Sequence, residues 1–321
     1  MFSFFTKLID RVVINLACAA QPEACTFQPH CEEAHELLSH PDLLSAPVSA
    51  PEKVKWTSEQ EFEFPSAVTS PWPENDVVYA KLQKCGEHWQ EKPTVVLVHG
   101  WNDEIGYALR HPYQARLFLK AGINVAMIEL PYHLKRRPRR AGAVNDFLSE
   151  DLRCTVLAAK QAVMDIRALL AWLREQGCSE TGLMGVSLGG WLTGLVTTHD
   201  ANVSFAVMNV PVARMDRVVK ELAFTEPIRR SLKLAESKNL TVDFDGLNLR
   251  AFRPKAPVDK ILIIEAVDDL FACKEAIEEF WAAWGKPEIW RVRHAHITGL
   301  FSPFLLRRQV KWVIAKTKVE K

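Results

Sequence analysis

Four short tracts of the chain combine residue types suited to nucleophilic chemistry. Gly185-Val186-Ser187-Leu188-Gly189 is a G-x-S-x-G pentapeptide, preceded by His99-Gly100-Trp101 and followed by Asp268-Asp269 and His294-Ala295-His296. A serine hydroxyl is a weak nucleophile and needs a base to take its proton. An imidazole titrates near neutrality, so it can take that proton and return it to a leaving group. A carboxylate behind the imidazole fixes the tautomer and stabilises the imidazolium. The chain order of these groups is nucleophile, acid, histidine. Within each pair, Asp268 rivals Asp269 and His294 rivals His296. Neighbouring side chains diverge, so only one member of each pair is expected to face the site.

Such groups need elements that bring them together. Gly182 to Val186 is an apolar run long enough for a buried strand, and Trp191, Leu192, Leu195 and Val196 begin a helical pattern. A turn this sharp between strand and helix forces Ser187 into a strained backbone conformation with its hydroxyl exposed. Gly185 and Gly189 flank it because side chains there would collide with the neighbouring strand or helix. An oxyanion beside Ser187 needs two donors. The N–H of Leu188 at the helix start is one, and the N–H of Trp101 is the expected second. His99 is expected to hold that loop by hydrogen bonding, and His111, His133 and His199 to lie at the surface or behind the site.

The rest of the chain supplies strands and helices in alternation. Val54-Lys55-Trp56, Glu61 to Phe64 and Val77 to Leu82 alternate apolar with polar residues, which suggests an antiparallel start. Pro93 to Gly100 and Ile123 to Leu130 are continuous apolar runs of the kind buried parallel strands show, and Val203 to Val210, Ile261 to Ile264 and Glu288 to Arg293 read as further strands. Helical spacing covers Tyr113 to Lys120, Leu152 to Leu173, Lys274 to Trp284 and Pro303 to Lys316. The fold class is α/β: a doubly wound, mostly parallel sheet, with reactive groups at the strand C-termini. Residues 53–321 form the main domain. Within it, the charged, mostly helical residues 212–258 break the rhythm and read as a cap-like insertion near those strand ends.

Residues 1–52 read as an N-terminal amphipathic helix followed by an irregular arm. Phe5, Leu8, Ile9, Val12, Val13 and Leu16 recur at helical spacing, giving an apolar face expected to pack on the domain. Contact of this helix with a membrane surface is the alternative. The arm holds Cys25, His30, Cys31, His35 and His40, in a spacing that matches no zinc module.

The 321 residues are 48% hydrophobic and 25% charged, with a formal net charge of +1. That balance supplies no global attraction to nucleic acid, and no apolar run is long enough to span a membrane. Seven cysteines without regular spacing argue against a disulfide framework and for a reducing compartment, the cytoplasm. Lys135-Arg136-Arg137-Pro138-Arg139-Arg140 follows the strand ending at Leu130. It reads either as a solvated loop or as an anion site in which Arg136 and Arg137 bind substrate.

From about Val77 to Lys316 the chain resembles the α/β-hydrolase superfamily, and within it a little-characterised esterase-type group. The likeness rests on the His-Gly strand end, the serine turn, the tract Glu265-Ala266-Val267-Asp268-Asp269 and the tract His296-Ile297-Thr298-Gly299. In that group a glycine precedes the histidine, where this chain has Ala295. The resemblance implies Ser187 as nucleophile, Asp269 as acid and His296 as base. It implies a serine esterase that cleaves small-molecule carboxylic esters through a covalent acyl-enzyme, with no metal or organic cofactor. An amidase or peptidase with the same triad, or a non-catalytic binding protein on the same fold, are the alternatives.

Overall fold

The computed structural model describes residues 2–19, 30–139, 147–178 and 180–317; Cys25 and Arg140 lie outside them. Glu61–Pro65 (β2) and Val77–Gln83 (β3) bury alternate side chains and pair antiparallel, with Lys55–Trp56 (β1) at the outer edge. Thr94–Val98 (β4), Asn124–Ile128 (β5), Thr181–Val186 (β6), Ala206–Asn209 (β7) and Ile261–Ala266 (β8) are buried at every position. Strands covered on both faces read as near-continuous apolar runs, here with polar residues mainly at their ends. Glu288–Val292 (β9) closes the far edge and is partly exposed. These form a nine-stranded sheet in the order β1-β2-β3-β5-β4-β6-β7-β8-β9. It is antiparallel up to the β3–β5 pair and parallel from β5 to β9.

The helices, in chain order, are Phe2–Ala19 (α1), Cys31–Ser39 (α2), His111–Lys120 (α3), Leu152–Glu175 (α4), Leu188–His199 (α5), Met215–Glu221 (α6), Glu226–Ser237 (α7), Lys274–Ala283 (α8), His296–Leu300 (α9) and Pro303–Lys316 (α10). α4, α5 and α8 bury their apolar side chains against one face of the sheet, and α3 and α10 cover the other. α4 starts where the Asp151 side chain accepts from the Arg153 N–H at 3.1 Å. It ends ahead of Gly177, whose φ of +106° favours glycine. This is the doubly wound architecture expected from the alternation of patterns.

Residues 212–258 supply α6, α7 and two turns that tie back to α5. The Trp191 indole N–H donates to the Leu247 carbonyl at 2.7 Å, and Asn248 accepts from the Met215 N–H at 2.9 Å.

The N-terminal part departs from its sequence reading in two ways. First, the arm contains a helix, α2, which buries Cys31, Ala34 and Leu38, while the Arg167 guanidinium donates to the Leu44 and Ala46 carbonyls at 2.8 and 2.9 Å. Second, α1 packs only part of its apolar surface, with Ile14, Ala17 and Cys18 against the core and its larger apolar side chains outside. Phe4, Phe5, Leu8, Ile9, Val12 and Leu16 are exposed, whereas Thr6 and Asp10 are buried. The cause is a polar contact that an apolar pattern cannot report, the bonding of Asp10 described below. No described helix is long and apolar enough to cross a membrane.

Trp191 joins α5 to the 212–258 segment through a ring with no exposed surface. Trp191→Ala is expected to lower stability by about 3–5 kcal/mol, read as a fall in the urea unfolding midpoint. An unchanged midpoint would contradict the packing described.

Candidate active site

The parallel strands end on one side of the sheet, and the ends of β6, β8 and β9 lead into Ser187, Asp269 and His296. β6 runs into Ser187, which adopts φ 53° and ψ −116° before α5 begins. A non-glycine residue holds such a conformation only when its surroundings impose it. Here the first turn of α5 lies against the end of β4. A Cβ on Gly189 would strike the Val98 and His99 carbonyl oxygens, and one on Gly185 would strike the Gly189 backbone. The turn is pinned by the Ser187 N–H donating to the Asn209 carbonyl at 2.9 Å and by the Trp191 N–H donating to the Ser187 carbonyl at 3.0 Å.

The Ser187 Oγ lies 2.8 Å from the His296 Nε2, and the His296 Nδ1 lies 2.7 Å from the Asp269 Oδ2. A carboxylate can only accept, so the Nδ1 carries the proton and the Nε2 accepts from the serine hydroxyl. The other Asp269 oxygen accepts from the Phe271 and Ala272 N–H groups at 2.7 and 2.8 Å. Asp269 therefore has no rotational freedom to spare. Its neighbour Asp268 faces away and bonds the Ser3 hydroxyl at 2.7 Å and the Lys7 ammonium at 3.3 Å. His296 is buried, with the Phe271 ring stacked at 4.7 Å. Burial by itself would lower its pKa. The Asp269 charge and hydrogen bond, then the Asp10 and Asp103 charges, hold it above the ordinary imidazole value.

Trp101 and Leu188 line the same cavity as Ser187 and His296. Leu188 opens α5, so its N–H has no partner within the helix. The Gly100-Trp101 loop is shaped by contacts on both sides. The His99 Nε2 accepts from the Leu130 N–H at 3.0 Å, which leaves its Nδ1 to donate to the Gly100 carbonyl at 2.7 Å. Burial lowers the His99 pKa and favours this neutral form. The Gly100 N–H donates to the Asp103 carboxylate at 3.0 Å, and Asp103 is paired with the buried Arg110. Burial alone would raise the Asp103 pKa, but the Arg110 charge and hydrogen bond keep it below the usual carboxylate range. His111 and His133 are buried behind this loop, each with a pKa lowered by burial.

The cavity measures about 350 Å³ and is mainly apolar. Val212, Met215 and Phe224 of the 212–258 segment form one wall, with Phe224 stacked on Trp101 at 4.9 Å. Val13 and Leu16 of α1 reach the same space. Among the described residues, no group of three or more His, Cys, Asp or Glu is arranged to hold a metal ion.

The basic loop does not meet the expectation that Arg136 faces substrate. The Arg136 guanidinium is fully buried, 2.8 Å from the Asp165 carboxylate of α4, and donates to the Asn75 and Glu129 carbonyls. A buried carboxylate drew this arginine inside, so it is a structural cation. Arg137 is partly exposed and pairs with Glu104.

Three residues of the site escaped the sequence reading: Asp103, Arg110 and Asp10. Asp103 and Arg110 sit one helical span apart in a tract whose period suggested no element. The Asp10 carboxylate accepts from the N–H groups of Leu270, His296 and Ile297 at 3.1, 2.9 and 3.0 Å. It interrupts an apolar pattern, and that interruption was its one visible sign.

Comparisons with known proteins agree on the fold. The family model described as Alpha/beta hydrolase domain containing 18 matches residues 52–231, which include Trp101 and Ser187 and stop short of Asp269 and His296. Two uncharacterized proteins of Mycobacterium tuberculosis, from strains CDC 1551 and H37Rv, are each 33% identical over 249 residues. The match covers 74% of this chain and 56% of theirs, so the chain spans a little over half the length of these curated relatives. An acetyl xylan esterase from Paenibacillus sp. R4 superposes with a TM-score of 0.59 at 14% identity, covering 94% of this chain and 98% of that one. The esterase Pf2001 from Pyrococcus furiosus gives 0.53 at 14% identity, over 83% and 97%. Est1E from Butyrivibrio proteoclasticus with bound ferulic acid gives 0.53 at 12% identity, over 76% and 96%. At such identities the likeness is one of fold.

The two arginines of the basic loop separate by experiment. Arg136→Gln leaves Asp165 buried beside a neutral partner and is expected to lower stability by about 3–5 kcal/mol in urea unfolding. Arg137→Gln breaks a solvent-screened pair and is expected to cost about 1 kcal/mol or less. Equal, small costs would mean that Arg136 is not buried against Asp165.

Proposed function

The chain belongs to the Alpha/beta hydrolase domain containing 18 family, and from that premise we propose that it is a serine hydrolase cleaving carboxylic esters through an acyl-enzyme on Ser187. The observation that carries this reading is the pair of hydrogen bonds Ser187 Oγ–His296 Nε2 and His296 Nδ1–Asp269 Oδ2, 2.8 and 2.7 Å long, at the wall of an apolar cavity.

Each step has a group in place. As the Ser187 oxygen bonds the ester carbonyl carbon, its proton passes to the His296 Nε2. Asp269 accepts from the Nδ1–H throughout and stabilises the imidazolium without taking its proton. The carbonyl π electrons move onto oxygen, and the N–H groups of Leu188 and Trp101 are the proposed donors to that oxyanion. Collapse expels the alkoxide, which takes the proton from the Nε2 and leaves as the alcohol. Water then repeats the sequence on the acyl-enzyme, and the carboxylic acid departs with Ser187 restored. The cavity's apolar lining suits an acyl or alcohol group of low polarity. Support for esters in particular comes from the fold neighbours that are themselves esterases. An amidase or peptidase with the same groups would cleave anilides as well as p-nitrophenyl esters, and the ester reading expects cleavage of the esters alone.

A fluorophosphonate probe is expected to label Ser187 in the wild-type protein and nothing in Ser187→Ala. Turnover of p-nitrophenyl esters should fall by about four to six powers of ten in Ser187→Ala. Activity within tenfold of wild type in that variant would refute the proposal. Asp269→Asn should nearly abolish turnover, while Asp268→Asn, altered at the carboxylate bonded to Ser3 and Lys7, should be far milder. The pH profile has a definite sign. His296 must be neutral to act as base, and its pKa is raised above the ordinary 6.5. Activity should therefore be lost as pH falls through a midpoint above 6.5, read from kcat/KM against pH. A midpoint below 6.5 would contradict the arrangement of charges around the ring.

A further inference from the structure

Asp10 has no exposed surface, yet it sits on α1, a helix whose large apolar side chains face outward. A helix normally buries its apolar stripe. Here the inward face is mixed: Thr6 and Asp10 are buried on it beside Ile14, Ala17 and Cys18, which pack against the core, while the larger apolar side chains stay outside.

The contact made by Asp10 is specific. One carboxylate oxygen of Asp10 accepts from the N–H groups of Leu270 and His296, and the other accepts from the N–H of Ile297. Leu270 follows Asp269 in the acid loop, and His296 and Ile297 open the histidine loop. A single side chain therefore clamps the backbones of the two loops whose side chains form the acid–imidazole bond. α1 adds two further ties to the acid loop, since Ser3 and Lys7 both bond Asp268. The negative charges acting on the His296 ring are those of Asp269 in the acid loop, which bonds it, then Asp10 on α1 and Asp103 in the loop after β4. Burial raises the Asp10 pKa, and the Ile297 N–H, the His296 charge and the other two N–H groups oppose that rise.

Resting on the serine hydrolase reading, we infer that Asp10 is a positioning residue: α1 delivers a carboxylate that sets the acid loop and the histidine loop in register, so turnover depends on the N-terminal helix. It touches no substrate and takes no proton in the reaction. It acts through the placement of His296 and through its charge beside the imidazole. Misplacement of a catalytic group by about 1 Å costs about a hundredfold in rate, so loss of the clamp reads out in kcat. Asp10 itself lines no part of the cavity, and Ser3 and Lys7 still tie α1, with its cavity residues Val13 and Leu16, to Asp268, so KM is expected to change little.

The test uses the full chain and the isosteric variant Asp10→Asn, with p-nitrophenyl esters as substrate and sites counted by fluorophosphonate titration. Counting sites keeps a partly unfolded preparation informative. The expected result is a fall in kcat of about 10- to 100-fold, with KM changed by less than about threefold. The acid limb of kcat/KM moves to lower pH, because the imidazole loses a neighbouring negative charge. Asp10→Glu keeps the charge and is expected to keep the wild-type limb. Lys7→Ala loosens α1 without touching the histidine loop and should leave the limb in place. Wild-type kcat and limb in Asp10→Asn would overturn the inference. So would a fall in kcat with an unmoved limb and a matching fall in thermal midpoint, which would make Asp10 an anchor for α1 only. So would a limb displaced in Asp10→Glu as far as in Asp10→Asn. An unlabelled wild-type protein would instead defeat the hydrolase reading itself.

Discussion

Everything at the site hangs on how closely the first turn of α5 approaches the end of β4. Two backbones meet there with no room for a side chain on Gly185 or Gly189. That approach holds Ser187 at a positive φ and puts its hydroxyl clear of the sheet. It also sets the Leu188 amide beside the His99-Gly100-Trp101 loop, so the proposed nucleophile and the proposed oxyanion donors share one steric cause. Strain at a functional residue persists only when its surroundings over-determine it. Here the parallel pairing of β4 with β6 fixes the level at which the two strands end.

The electrostatics are built around one buried imidazole. Left to its burial, His296 would hold a proton poorly, because a low-dielectric site disfavours the charged imidazolium. Asp269 reverses this by direct contact, and Asp10 and Asp103 add to it. Each of these carboxylates is in turn held by donors: Asp269 by two backbone amides, Asp10 by three, and Asp103 by Gly100 and Arg110. Buried charges carry this cost of satisfaction, and here the donors are mostly main-chain groups of the very loops the carboxylates order. Local structure and electrostatics are thus one arrangement, which a change at any of the three carboxylates would disturb twice.

Much of the fold could be read from the chain because burial on two faces leaves a plain mark. β4, β6 and β8 are continuous apolar runs bounded by glycine or polar residues, and α4 shows its spacing over many turns. The serine turn was visible for a related reason, since its glycines answer a collision that occurs only in that geometry. The tracts around Asp269 and His296 stood out as polar groups at strand ends, and the structure joins those two side chains to Ser187. What escaped was whatever depends on partners distant in sequence. Asp10 of α1 is held by three amides far along the chain, so the periodicity marked a helix but not the burial of its polar Thr6 and Asp10. Arg136 belongs to a run of cations that looks solvated, and only the position of Asp165 on α4 shows why it is buried. α2 is short, rich in glutamate, and buries few side chains, so its pattern was too faint to separate from a loop.

The clamp at Asp10 spans 286 residues of sequence, and synthesis runs along that span in one direction. α1 leaves the ribosome first, the serine turn well after it, and the loops carrying Asp269 and His296 near the end. Until those loops emerge, the Asp10 carboxylate has none of its three amides, and Ser187 has no imidazole to deprotonate it. A chain that has emerged only as far as β7 therefore carries Ser187 without the imidazole beside it. The Ser187 hydroxyl, present early, meets the His296 ring and the loops clamped by Asp10 only late. The contact that couples the two ends of the chain thus also times when the site comes into being.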